Sequence, residues 1–154
     1  MSTILKITGL TKYFPIAKKS FFGKTETVQA VDDVSFEIGA GEAVGLVGES
    51  GCGKSTTGRL ITRLIEPTAG SIEFDGEEIS NKNSKQLLSI RPKLQMIFQD
   101  PYASLNPRHT VGTIISTPMK INGIKPEGGT KKAVQELLEI VGLNPEHYNR
   151  YPHE

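Results

Sequence analysis

The sequence contains no tryptophan, a single cysteine and no apolar run long enough to cross a bilayer. One cysteine cannot form a disulfide within the chain, which excludes the disulfide-stabilised folds typical of small secreted proteins. A membrane-spanning helix needs about 18 or more consecutive apolar residues, so the sequence predicts no transmembrane segment.

An excess of charge of either sign is also missing. Eighteen lysines and arginines oppose 17 aspartates and glutamates, which leaves a net charge of +1. This balance gives no general electrostatic attraction to nucleic acid, and we expect no nucleic-acid partner. Of the 154 residues, 36% are hydrophobic and 23% are charged, a composition typical of a globular domain with its own core.

The apolar pattern predicts several strands. Residues 4–10 alternate apolar and polar side chains, and residues 30–38 predict a second strand that ends at a glycine-rich turn. Residues 43–47 are uniformly apolar, which is typical of a strand buried on both faces of a parallel sheet, and residues 94–98 predict another apolar strand. Residues 71–79 predict a strand with a turn at Asp75-Gly76.

Three segments are predicted to be helical. Residues 110–121 and 131–143 have apolar residues at helical spacing. The segment from residue 56 to Pro67 does too, and its apolar face is predicted to consist of Leu60, Ile61, Leu64 and Ile65. Between the first two strands we expect a long basic hairpin loop that contains Lys18, Lys19, Phe21, Phe22 and Lys24.

The stretch GESGCGKST fits the phosphate-loop pattern G-x-x-x-x-G-K-[ST], with a predicted buried strand before it and a predicted helix after it. Its glycines let successive backbone N–H groups point at a phosphate chain, and the helix adds its positive dipole end. We expect the Lys54 ammonium to reach the β- and γ-phosphates and the Ser55 hydroxyl to bind Mg²⁺. The predicted nucleotide-binding residues are Gly48, Glu49, Ser50, Gly51, Cys52, Gly53, Lys54, Ser55 and Thr56.

A phosphate loop does not identify the reaction, because GTPases, small-molecule kinases and transport ATPases share it. An aspartate directly after an apolar strand would help to discriminate between these classes, and two stretches partly fit that pattern. Asp75 is followed by Gly76, which favours a turn, whereas Asp100 is separated from the apolar run by Gln99. The guanine-reading pattern N-K-x-D is absent from the sequence.

The whole chain resembles the first half of an ABC-transporter ATP-binding subunit, most of all in the oligopeptide and dipeptide importer branch. The segments KYFP, AVDDVSFEI, GESGCGKSTTGR, EPTAGSIEFDG, IFQDPYASLNPR, ELLEIVGL and YPHE occur in the order of that family. The resemblance implies an α/β P-loop ATPase fold. It divides into an antiparallel β-subdomain (1–42), an incomplete P-loop core (43–105) and the start of a helical subdomain (106–154).

The resemblance also implies roles. Tyr13 matches the aromatic residue that stacks on adenine, and Gln99 matches the glutamine that senses Mg²⁺ and the γ-phosphate. Lys54 and Gln99 are then the candidate catalytic residues, Ser55 and Gln99 the candidate Mg²⁺ ligands, and ATP and Mg²⁺ the cofactors. Residues 100–111 match the surface that contacts a membrane permease, and a second ATPase subunit is the other implied partner. The implied location is the cytoplasmic face of the cell membrane.

The family's pattern continues with a signature motif, an Asp-Glu pair after an apolar strand and a switch histidine, and none of these occurs in the 154 residues. We therefore expect the chain to bind ATP without hydrolysing it alone, and to be poorly stable or to associate. The main alternative to a transport ATPase subunit is a non-hydrolysing nucleotide-binding or interaction module. A soluble P-loop kinase is a third possibility, but the sequence offers no arginine-rich lid. The scattered residues His109, His147 and His153 predict no metal site.

Overall fold

A computed structural model describes residues 2–16, 26–100 and 104–154. The core of the predicted basic hairpin loop and the Pro101 position of the predicted permease surface lie outside these described residues. The chain divides into two compact units, Met1–Met96 and Ile97–Glu154. The three-part division suggested by the sequence stays a prediction.

The first unit is built on a four-stranded antiparallel sheet in the order β2-β1-β3-β4. The strands are β1 (Thr3–Pro15), β2 (Thr27–Gly39), β3 (Ala69–Phe74) and β4 (Glu77–Glu78). The strand predicted at residues 30–38 begins three residues earlier, at Thr27, in β2. In the centre of the sheet, Ile7 of β1 pairs with Phe36 on one side and with Ile72 on the other.

The turn between β3 and β4 confirms the prediction at Asp75-Gly76. Both residues have positive φ angles, 53° and 75°, as a two-residue hairpin turn requires. This geometry places Asp75 in a hairpin rather than at the end of a buried parallel strand. Its carboxylate forms an exposed ion pair with Lys93 at 3.4 Å.

The core of the first unit lies between the sheet and helix α1 (Lys54–Ile61). Side chains from β1, β2, α1 and β3 belong to one buried apolar cluster there. The fully buried members are Leu10, Leu60, Ile72 and Ile79. Leu60, near the end of α1, is the residue through which the helix packs into this core.

Two predicted strands are wrong. Residues 43–47 and 94–98 have no strand conformation, and the side chains of Val47 and Ile97 are 93% and 96% exposed. The uniform apolar run suggested burial on both faces, but such burial needs a hydrogen-bonded strand on each side. Among the described residues the one sheet is antiparallel, and it includes neither segment.

Helix α1 is shorter than predicted. It ends at Ile61, six residues before Pro67, because Arg63 adopts a left-handed conformation with φ 53° that terminates the helix. The Arg63 guanidinium donates to the carbonyl oxygens of Ile79 and Lys82, at 3.0 Å each. These bonds connect the end of α1 to the segment that follows β4. Leu64, predicted on the apolar helix face, is therefore 56% exposed.

The second unit contains α2 (Val111–Ile121) and α3 (Thr130–Ile140), as the sequence predicts. The Thr110 hydroxyl caps α2 by accepting from the backbone N–H of Thr113. Gly112 lies buried in α2, where a Cβ atom would stand 2.6 Å from the Tyr148 ring. No helix within the described ranges is long and apolar enough to cross a membrane.

Candidate functional site

The candidate site is the loop of residues 48–53 together with the first turn of α1. Gly53 occupies the N-cap position of α1 with φ 96°, and no side chain caps the helix. The first backbone N–H groups of a helix have no partner within the helix and lie at its positive dipole end. Because the cap position carries no competing side chain, this helix start suits a phosphate group.

Glycine is required at the end of the loop for two reasons. A Cβ atom at Gly53 would lie 2.3 Å from the backbone oxygen of Ala30 on β2, closer than any real contact. Its positive φ is also rare for other residues. Gly51 shares a positive φ of 85°, but a Cβ atom there would meet nothing within 4 Å. The loop is therefore anchored backbone to backbone at Gly53 and open at Gly51.

The Lys54 side chain folds back over the loop. Its ammonium donates to the carbonyl oxygens of Gly48 at 2.7 Å and Glu49 at 2.6 Å. An ammonium has three donors, and the third donates to the Cys52 sulfur at 3.5 Å, which is a weak acceptor. The half-buried Lys54 thus places a positive charge over the loop and bonds the loop's own backbone, and its contact with phosphates stays a prediction.

The hydroxyl groups of α1 are not equivalent. Ser55, the predicted Mg²⁺ ligand, is exposed, whereas Thr57 is buried and its hydroxyl donates to the Gly53 oxygen at 3.1 Å. Ser55 is thus accessible to a metal ion that is also bound by phosphate oxygens. Among the described residues no three His, Cys, Asp or Glu side chains gather into a metal site, so Mg²⁺ coordination by Ser55 stays a prediction.

Cys52 is an exposed residue of the phosphate loop that lies beside the Lys54 ammonium. Its sulfur is 3.5 Å from the Lys54 ammonium nitrogen and covers Gly48, where a Cβ atom would stand 2.7 Å from it. The side chain is exposed, so the single thiol of the chain is accessible to reagents.

Alkylation of Cys52 should weaken Mg-ATP binding by at least about tenfold, because the added group occupies space over the loop that the phosphates need. Calorimetric titration of iodoacetamide-treated and untreated protein checks this. Cys52→Ala treated in the same way is the control, since it has no other thiol. Complete labelling with unchanged affinity would refute the steric argument.

Tyr13 lies half-buried on β1, opposite Gln29 on β2. Its hydroxyl donates to the Asp32 carboxylate at 2.6 Å, and this hydrogen bond raises the pKa of Tyr13 above its ordinary value. The residue next to Gln29 is Ala30, whose carbonyl oxygen supports Gly53. Strand β2 therefore connects the predicted base-stacking residue to the phosphate loop within one unit.

No pattern in the amino-acid sequence indicates the Asp32 and Ala30 contacts. Asp32 lies in AVDDVSFEI, where the alternating apolar pattern predicts only a solvent-facing residue. Ala30 acts through its backbone oxygen, which no sequence pattern specifies. Only the register of β1 against β2 and the approach of the loop to β2 reveal the two contacts.

Gln99 lies in the second unit and is exposed. Tyr13 and the phosphate loop both belong to the first unit, and the roles of Tyr13 and Gln99 in binding a nucleotide stay predictions. In the predicted permease-contacting segment, the Ser104 hydroxyl donates to the Asp100 backbone oxygen at 2.8 Å. The Asn106 side chain accepts from the N–H of Arg108 at 3.0 Å, which forms a tight surface turn.

Comparison with known protein families identifies one match. The family described as ABC transporter matches residues 31–154. The chain is 57% identical over 139 residues to the oligopeptide transport ATP-binding protein OppF of Bacillus subtilis, covering 89% of this chain and 46% of OppF. It is 42% identical over 153 residues to the di/tripeptide transport ATP-binding protein DppF of Pseudomonas aeruginosa, covering 99% and 47%.

The glutathione import ATP-binding protein GsiA of Salmonella typhimurium is 48% identical over 151 residues, covering 98% of this chain and 24% of GsiA. The chain thus spans about half the length, or less, of these relatives. Among solved structures, it superposes with a TM-score of 0.78 and 25% identity on the ATP-binding cassette MJ0796 in a dimeric post-hydrolysis state bound to ADP and Pi. This match covers 97% of the chain and 62% of the cassette. The likeness confirms the predicted α/β P-loop fold.

Proposed function

The chain belongs to the ABC transporter family, and from that premise we propose that it is an ATP-binding subunit that couples ATP binding and hydrolysis to the import of oligopeptides or dipeptides. The observation that carries the proposal is the phosphate loop. It combines an uncapped helix start, a glycine packed on β2 and an ammonium held over the loop.

The loop residues supply distinct parts of nucleotide binding. The first N–H groups of α1 and the Lys54 ammonium bind and orient the phosphate chain, since both present positive charge to the same space. The exposed Ser55 hydroxyl would hold Mg²⁺, and the ion would neutralise charge on the phosphate oxygens. The Tyr13 ring stacks on the base, a contact that favours a flat aromatic group over a free phosphate chain.

The substrate and the partners are proposed from the relatives. OppF and DppF are named as transport ATP-binding proteins for oligopeptides and for di- and tripeptides. We propose that this chain acts with membrane permease subunits, which contact residues 100–111 from the cytoplasmic face of the membrane. The solved cassette is dimeric, which supports a second ATPase subunit as the other partner.

One observation favours the second candidate, a module that binds nucleotide without turning it over. The two aspartates nearest to an apolar run are Asp75, which lies in the hairpin turn, and Asp100, which follows a segment without strand structure. Neither stands where a carboxylate at the end of a core strand would orient a water molecule. We therefore propose that residues 1–154 by themselves bind Mg-ATP and hydrolyse essentially none.

Titration of the 154-residue chain with Mg-ATP should give saturable binding at one site, and a phosphate-release assay on the same sample should show no turnover. Tripolyphosphate with Mg²⁺ should bind more weakly than ATP, because it has no base for Tyr13. Multiple turnovers per minute that disappear in Lys54→Ala would contradict the non-hydrolysing proposal. A folded chain that binds neither ligand would contradict nucleotide binding itself.

A further inference from the structure

One nitrogen of the Arg63 guanidinium is buried without a partner. The Nε and Nη2 atoms donate to the backbone oxygens of Ile79 and Lys82, at 3.0 Å each. The remaining nitrogen, Nη1, has no hydrogen-bond partner, and among the described residues it is the one buried side-chain nitrogen or oxygen in this state. Buried polar groups of native proteins are bonded to protein, water or ions. The unpaired Nη1 therefore indicates a bound water molecule or ion.

A small cavity lies beside the same side chain. Its volume is about 10 Å³, which is room for one particle of about the size of a water molecule. The lining consists of Arg63, Arg91, Thr62 and four aliphatic side chains. All of these residues belong to the first unit, so the cavity is complete within it.

The charge of the lining discriminates between the two kinds of ligand. It includes two arginines, which are cationic at neutral pH, and no acidic side chain of the described residues. Neither Arg63 nor Arg91 forms an ion pair within the described part of the chain. The carbonyl oxygens that Arg63 bonds are neutral and leave its charge uncompensated. Water would accept a hydrogen bond from Nη1, whereas an anion would accept it and also compensate the charge.

We propose that this cavity binds a monovalent inorganic anion of about the size of chloride, through Nη1 of Arg63 and the positive charge of Arg91. Phosphate and sulfate are too large for the volume. The site follows the end of α1, at the residue where the chain turns with a left-handed φ of 53°. A bound anion therefore stabilises the connection between the end of α1 and the segment that follows β4. This role is independent of nucleotide binding.

Thermal unfolding of the 154-residue chain tests the site, with sodium chloride replacing sodium gluconate at constant ionic strength. Gluconate is too large for the cavity, and constant ionic strength leaves the screening of surface charges unchanged. Chloride should raise the midpoint of unfolding by about 3 °C or more, because it binds the folded chain and has no site on the unfolded one.

Three variants identify the residues responsible. Arg91→Gln removes one of the two charges from an exposed side chain, so the variant should fold and lose most of the chloride effect. Arg63→Gly removes the guanidinium at a φ that glycine adopts freely, and should lose the effect completely. Lys93→Gln is the matched control, since it removes an exposed positive charge outside the cavity and should retain the full effect.

A crystal structure with sodium bromide in place of chloride locates the ion, because bromide scatters anomalously. An anomalous peak is expected within hydrogen-bond distance of Nη1 of Arg63. Density at that position without an anomalous signal would identify water and overturn the proposal. It would also be overturned by a parent chain that chloride does not stabilise, or by a chloride effect of equal size in the parent and in Arg91→Gln.

Discussion

Replacing Lys54 with alanine should lower the affinity for Mg-ATP about a hundredfold, equivalent to about 2.7 kcal/mol. The ammonium donates to the Gly48 and Glu49 oxygens at 2.7 and 2.6 Å, so it already stands over the loop before any phosphate arrives. Its removal deletes a charge-assisted hydrogen bond to the phosphates. It also leaves two loop carbonyl groups without their donor, so that the loop loses its curvature.

Isothermal titration calorimetry with Mg-ATP and with Mg-tripolyphosphate measures the effect, and both ligands should bind more weakly because both carry the phosphate chain. Lys93→Ala is the matched control: it removes the same charge from the same unit, where the lysine pairs with Asp75 on the exposed surface. Exposed pairs of this kind contribute little. A loss of ATP affinity in Lys54→Ala no larger than that in Lys93→Ala would contradict the assigned role.

The parts of the molecule that the sequence predicts well are those determined by local chemistry. The Asp75-Gly76 turn follows from the two residue types that tolerate positive φ, and α2 and α3 follow from apolar spacing. Helix α1 belongs to the same class, since the glycines and the lysine that precede and begin it lie in one short stretch. Nucleotide binding by the loop stays a prediction.

The wrong predictions concern features that depend on distant segments. Residues 43–47 have the composition of a buried strand, yet composition cannot supply the neighbouring strands that burial requires. The end of α1 depends on Arg63, whose guanidinium reaches carbonyl groups 16 and 19 residues away. The Tyr13–Asp32 bond likewise depends on the register of two strands, which periodicity alone does not determine.

The close approach of Gly53 to Ala30 depends on both local and distant residues, because a glycine of the phosphate loop lies against the backbone of strand β2. Gly53→Ala should destabilise the first unit by about 3 kcal/mol or more and abolish measurable ATP binding. The positive φ accounts for about 1–2 kcal/mol. The rest comes from a Cβ atom placed 2.3 Å from the Ala30 oxygen, since two backbones must separate and no side chain can rotate away.

Gly51→Ala is the matched control for this clash. It lies two residues earlier in the same loop, its φ of 85° is close to the 96° of Gly53, and its new Cβ atom would meet nothing within 4 Å. Its cost should therefore be the conformational part alone, about 1–2 kcal/mol. Urea unfolding of the two variants and the parent gives the comparison. Equal destabilisation would mean that the loop does not rest on β2 at Gly53, and the link from Tyr13 through β2 to the phosphate loop would fail with it.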